Sequence, residues 1–149
     1  LFTLASMVGT HLSNKEYVSE LHDFGQNAGL AFQIIDDILD ITADENLLGK
    51  PAGTDLKQKT PSLINILWLE SGDQRAKDFF AIEAPSFEEA KVVADQIKET
   101  EIIEKAKEYA VEYANKANDA LFRIPEDRVD TTVRAQLLSL VEYTLNRCL

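Results

Sequence analysis

Apolar positions along the chain recur at three and four residues over most of its length, the period of helices that bury one face. Residues 1–12, LFTLASMVGTHL, already lie inside such a pattern, which weakens at Gly9 and Thr10. Ser13 and Glu16 then have the spacing of a capping box, in which a hydroxyl and a carboxylate satisfy the free N–H groups of a helix start. From there Tyr17, Leu21, Phe24, Ala28, Ala31, Ile35 and Ile38 predict a long helix with one side against a helical partner. Gly25 and Gly29 interrupt it at about 1 kcal/mol each relative to alanine, and their small size is expected to let another helix approach closely.

The periodicity stops over residues 42–60, where Gly49, Pro51 and Gly53 punctuate a polar stretch that reads as a loop long enough to be functional. Helices return after it. Thr60 and Pro61 predict the start of a helix that Gly72 ends, and a short helix is expected from Asp73 to about Glu83. Ser86 with Glu89 forms a second capping box for a helix running to about Glu99. Ile102, Ala106, Tyr109, Tyr113, Ala117 and Ala120 mark the apolar face of a long helix, with Glu101–Lys105 and Glu112–Lys116 as favourable pairs opposite. Pro125 breaks it, Asp130 can cap the last helix, and Val133, Leu137, Leu140, Val141 and Thr144 are its expected buried side. No strand survives this reading, so the predicted fold class is all-α.

One stretch stands out chemically. Residues 29–51 read GLAFQIIDDILDITADENLLGKP. On a helix, Asp36, Asp37 and Asp40 occupy neighbouring points of one face, with Gln33 one turn earlier. The remaining residues make this helix apolar nearly all round, and such helices are usually buried. Three carboxylates in a buried segment near a helix C-terminus meet both desolvation and an unfavourable dipole, so a cation should compensate them. Oxygen-only ligands suit a hard divalent ion that keeps some waters and bridges to phosphate, which points to Mg2+. An acidic helix end paired with lysines is the alternative. Lys50 and Lys59 bracket the loop as cations able to reach an anion held at the carboxylates. Gly49-Lys50-Pro51 is not a P-loop, because the earlier glycine and the following Ser or Thr are missing.

Composition narrows the partners. The chain has 149 residues, one domain's worth, and 26 acidic against 15 basic residues give a formal net charge of −11. That argues against nucleic acid or an anionic membrane as partner, and an anionic substrate would need a metal to approach. The single cysteine, Cys148, excludes an internal disulfide framework and a cysteine-ligated zinc site, so a reducing, cytoplasmic location is expected. No membrane-spanning or signal-like run is read, and no membrane insertion is expected. His11 and His22 accompany no nucleophile signature and no HExxH, so both read as structural or exposed.

FQIIDDILD followed by GKPAGTDL resembles the trans-type isoprenyl diphosphate synthases, in particular the polyprenyl diphosphate synthases. Gly29, Phe32, Gln33, Asp36, Asp37, Asp40, Gly49, Lys50, Pro51, Gly53, Asp55 and Leu56 match that family's second aspartate-rich motif, GxxFQxxDDxxD, and its downstream GKPxGxDL loop. The helices after the loop and Arg147 near the end are also similar, so the resemblance covers essentially the whole chain. It implies an isoprenoid-synthase-type helical bundle around a deep cavity. It also implies that Asp36, Asp37 and Asp40 belong to a magnesium cluster, with Asp36, Asp37 and Lys50 in the catalytic machinery. Gln33 and Lys50 would contact an allylic diphosphate, Phe32 would line its site, and Lys59 is carried as a further substrate-binding cation. The implied reaction ionises the allylic diphosphate, adds the isopentenyl diphosphate double bond to the cation and loses a proton.

Two departures from the pattern shape the expectations. The family's first aspartate-rich motif is absent, and many relatives have glycine in place of Lys59. The chain therefore reads as the C-terminal half of a synthase, lacking the N-terminal helices. It is expected to be inactive alone, and to form a homodimer or pair with a missing N-terminal half. A non-catalytic helical partner subunit and a terpene cyclase are the rival readings; the cyclases share metal-driven ionisation but not the GKPxGxDL loop.

Overall fold

The computed structural model describes residues 1–11, 16–43 and 52–148, and over these the helical periodicity becomes eight α-helices with no strand. They are α1 (Phe2–His11), α2 (Val18–Thr42), α3 (Thr54–Gln58), α4 (Leu63–Glu70), α5 (Gln74–Ala81), α6 (Phe87–Lys98), α7 (Ile102–Phe122) and α8 (Thr131–Leu145), with a 3-10 turn at Glu126–Arg128 before α8. The all-α fold class is as predicted. The expected Ser13–Glu16 capping box falls largely outside the described residues. Tyr17 does not join the apolar face of α2: it takes a left-handed backbone, φ 56°, immediately before the helix begins.

Contacts group the chain into two compact units, Leu1–Ile35 with Glu108–Leu149, and Asp36–Lys107, so that α2 and α7 each run through both. The first unit is built on small residues. Ala28 and Ala31 of α2 share a buried cluster with Ala114, Ala117 and Ala120 of α7, closed by Phe24, Leu121 and Val141. The long helix buries the predicted Ile102, Ala106, Ala117 and Ala120 together with Ala110 and Ala114, with Tyr113 partly buried against the cluster and Tyr109 exposed. Alanine lets two helix backbones come close, and a tyrosine with its hydroxyl prefers a rim where one end stays wet. On α8, Val133 and Leu140 are also exposed, and Arg134 takes a buried place instead. Its guanidinium donates to the Ile124 carbonyl just beyond the end of α7 and lies 6.0 Å over the Phe122 ring.

Close packing of α1 on α2 explains the two glycines. A Cβ on Gly25 would lie 2.8 Å from Thr3 Cα and 2.9 Å from the Phe2 carbonyl oxygen, and one on Gly29 would lie 3.1 Å from Phe2 Cβ. Ser6 seals the crossing by donating from its hydroxyl to the Leu21 carbonyl at 2.8 Å.

In the second unit the capping signals act as predicted. Ser86 and Glu89 form the full capping box of α6, and Asp73 caps α5. The N-cap of α4 is Ser62 rather than Thr60, its hydroxyl accepting from the Asn65 amide. The main addition is α3, inside the stretch read as loop. It starts at Gly53, whose left-handed φ of 74° and close approach to the Ala90 backbone, 3.2 Å from an added Cβ, both require glycine. Leu56, fully buried, anchors this short helix, which packs on α6.

Candidate functional site

α2 carries FQIIDDILD as continuous helix, ending at Thr42 with no basic residue in its last turn. The apolar positions behave as the pattern demands: Ile34, Ile35, Ile38 and Ile41 are all buried. Asp36 is half-buried, whereas Asp37 and Asp40 are buried, at 5% and 1% exposure. These two numbers matter, because a carboxylate that deep must be compensated.

Part of that compensation comes from the second unit's own helix starts. Asp40 Oδ2 accepts the backbone N–H of Asp55, in the first turn of α3, at 2.9 Å. Asp37 Oδ2 accepts the N–H of Leu63, the first residue of α4, at 2.8 Å. The free N–H groups of a helix N-terminus and the positive end of its dipole both favour an anion there. Gly53, the N-cap of α3, offers no side-chain cap of its own, so Asp40 caps that helix from fifteen residues away. The backbone closes the same joint, the Gly53 N–H donating to the Asp40 carbonyl at 2.8 Å.

Among the described residues no group of three or more His, Cys, Asp or Glu side chains is placed to hold a metal ion. The structure brings one oxygen each of Asp37 and Asp40 to the helix starts of α4 and α3. The all-oxygen chemistry still suits Mg2+, which is commonly held by one or two carboxylates with substrate phosphate and water completing the shell. Asp36, Asp37 and Asp40 are donors of that chemical kind.

Lys59 lies just beyond α3. It adopts a left-handed conformation, φ 53°, at the C-terminal end of α3, and its ammonium donates to the carbonyls of Phe80, at 3.1 Å, and Ile82. Its charge serves the end of α5, where carbonyls lack helical partners. These bonds tie Lys59 to the end of α5. Lys57, read as a solvated surface lysine, lies 4.1 Å over the Phe87 ring. Lys50 lies outside the described residues. In the first unit Gln33 is exposed, and Phe32 is half-buried between the Phe2 ring, at 5.1 Å, and the Arg147 guanidinium, at 5.2 Å. Stacking of Arg147 on Phe32 could not be read from residues so far apart in sequence.

The polyprenyl synthetase family model matches residues 1–100, which include all of the acidic helix and the stretch after it. The chain belongs to the polyprenyl synthetase family. It is 36% identical over 153 residues to a geranylgeranyl diphosphate synthase of Sulfolobus acidocaldarius, covering 99% of this chain and 46% of that protein. Its fold is similar to a crystal structure of heptaprenyl diphosphate synthase from Staphylococcus aureus, with a TM-score of 0.86 and 28% identity over 99% of this chain and 46% of that one. A polyprenyl synthase from Caulobacter crescentus, in a crystal structure complexed with calcium and isoprenyl diphosphate, matches with a TM-score of 0.83 and 26% identity, again over 99% and 46%. The chain therefore spans about half the length of the family members it matches. No helix among the described residues is long and apolar enough to cross a membrane.

Proposed function

We propose that this chain forms part of a prenyltransferase site in which an allylic diphosphate and isopentenyl diphosphate are condensed to a polyprenyl diphosphate with Mg2+. The observation that carries the reading is the placement of Asp36, a half-buried carboxylate in the stretch of α2 where Ile34, Ile35, Ile38 and Ile41 are buried. Family membership supports it, as does the calcium and isoprenyl diphosphate found together in the Caulobacter crescentus relative.

In this reading Asp36, Asp37 and Asp40 would hold the metal, and Mg2+ would supply positive charge to offset that on a departing diphosphate. The chain's own residues do the rest. Gln33, exposed, donates its amide to diphosphate oxygen, and Lys50 supplies a positive charge from the GKPxGxDL segment. Phe32 lines the allylic site as an apolar wall, the kind of surface that keeps water from a carbocation. No covalent nucleophile is needed. A homodimer or pairing with an N-terminal half, and a cytoplasmic location, belong to the same proposal.

Calorimetry on the intact protein tests it, using a non-cleavable allylic diphosphate with and without Mg2+. Metal-dependent binding should be seen and should be abolished in Asp36→Ala, with Lys50→Ala weakening it while the thermal midpoint stays. Unchanged affinity in Asp36→Ala would remove that carboxylate from the site.

A further inference from the structure

A cavity of about 490 Å³ lies within the first unit, and none of its lining residues belongs to the acidic stretch. Leu21, Leu121, Val133 and Leu137 give it apolar walls, and Arg128 and Arg134 line it as well. Arg134 is the physical oddity. Only 8% exposed, it makes one hydrogen bond, from Nη2 to the Ile124 carbonyl, while its Nε is buried with no partner. Its other contact is the Phe122 ring, 6.0 Å away, and no carboxylate pairs with it among the described residues. A guanidinium carries five N–H donors, and a buried charge is ordinarily paired. Arg134 also stands in the first turn of α8, where the helix dipole adds to the positive potential. The nearby Asp130 carboxylate is bonded to the Thr132 and Val133 amides as the cap of that helix.

Arg128, in the 3-10 turn before α8, pairs with Glu16, which lines the cavity too. Two guanidiniums and one carboxylate among the lining residues leave one positive charge in excess, within a chain whose formal net charge is −11. Tyr17 borders the same space in a left-handed backbone, φ 56°, a conformation that costs energy in a non-glycine residue and recurs at ligand sites. We propose that this cavity binds a small amphiphilic carboxylate. The head accepts from Arg134 Nε, with Arg128 alongside, and a short hydrocarbon body lies on Leu21, Leu121 and Leu137. The volume is that of an ordinary small-molecule pocket, and a guanidinium with a free N–H suits a carboxylate. One excess charge matches a monoanion; a phosphate dianion would leave a negative charge buried instead. The site is separate from the diphosphate reading above and does not depend on it.

Octanoate, titrated into the intact protein and followed by the Arg134 Nε–H resonance in NMR, is the probe. That resonance should shift saturably with octanoate and stay in place with octanol. Octanoate should bind about tenfold or more tightly than octanol, which has the body without the charge, and than acetate, which has the charge without the body. Octyl phosphate, a dianion above its second pKa, should bind less tightly than octanoate. Arg134→Gln keeps an N–H donor for the Ile124 carbonyl and removes the charge, and should bring octanoate down to the affinity of octanol. Arg128→Gln, at an exposed position, should weaken octanoate about threefold without lowering the thermal midpoint by more than an exposed ion pair accounts for. If Arg134→Gln does not fold, the parent's Nε–H resonance and Arg128→Gln decide. An Nε–H signal unmoved by octanoate, or octanol bound as tightly as octanoate, would overturn the site. Tighter binding of octyl phosphate than of octanoate would overturn the carboxylate assignment.

Discussion

The indole N–H of Trp68 donates to the Asp73 carboxylate at 3.3 Å, joining one of the most deeply buried side chains of the second unit to the cap of α5. The same carboxylate accepts from the Arg75 guanidinium, at 2.6 Å for Nη2, and from the Arg75 backbone N–H at 2.9 Å. These donors favour the charged form. The Arg75 side chain contributes most, then its backbone N–H, and the Asp73 pKa falls from 3.8 to about 2.

A depressed carboxylate pKa means stability that is present above the unfolded value and lost as pH falls toward the folded one. The thermal midpoint of the parent should therefore drop as pH is lowered from about 4 to 2, and Asp73→Asn should flatten that part of the profile. Thermal scans of both proteins over that interval check it. An unchanged slope in Asp73→Asn would assign the acid sensitivity to other carboxylates.

What was legible in the sequence follows from the range of the forces involved. Ser86 with Glu89, and Asp130 with the Thr132 and Val133 amides, are caps whose partners lie two or three residues away, so spacing alone reveals them. α3 has five residues and one fully buried side chain, Leu56, too few to show a period. Its cap, Asp40, comes from another helix, and no local pattern reports such a partner. For the same reason the acidic helix was recognisable as a buried segment needing compensation, whereas the source of that compensation for Asp37 and Asp40 required the fold. On α7 the period placed Ile102, Ala106, Ala117 and Ala120 on the buried face, while the exposure of Tyr109 depends on packing that the period does not report.

Lys59 combines a strained backbone with a useful side chain. A non-glycine residue in the left-handed region costs about 1–2 kcal/mol. Its ammonium offsets this by bonding the Phe80 and Ile82 carbonyls. Lys59→Ala keeps the strain and loses those bonds, so it should destabilise by about 1.5–3 kcal/mol. Lys59→Gly loses the bonds but relieves the strain, and should be less damaging by about 1 kcal/mol. Urea denaturation of the two variants orders them. If the glycine variant were the weaker, the backbone strain argument would fail.

Arg134 is a buried cation of the first unit, and its removal should be costly. The Ile124 carbonyl would lose its donor at a buried position, at about 1–3 kcal/mol. Arg134→Met, which retains much of the volume, should show nearly the whole loss, because it replaces the stem but not the hydrogen bond. Equal stability of the methionine variant and the parent would mean that packing, and not the bond to Ile124, keeps an arginine there.

Gly9 and Gly25 make a matched test of why glycine occurs on these helices. Both lie in helix interiors, where alanine is favoured by about 0.5–1 kcal/mol on propensity alone. At Gly9 an added Cβ meets nothing within 4 Å, so Gly9→Ala should stabilise by up to about 1 kcal/mol. At Gly25 the methyl would lie 2.8 Å from Thr3 Cα and 2.9 Å from the Phe2 oxygen, both backbone atoms that cannot rotate away. α1 would have to shift, breaking the bond from Ser6 to the Leu21 carbonyl, and such overpacking costs about 1–3 kcal/mol against a smaller propensity gain. Gly25→Ala should therefore destabilise, and Gly25→Ser more so. Thermal midpoints of the three variants decide the matter: a stabilised Gly25→Ala would show that α1 does not rest on α2 at this crossing.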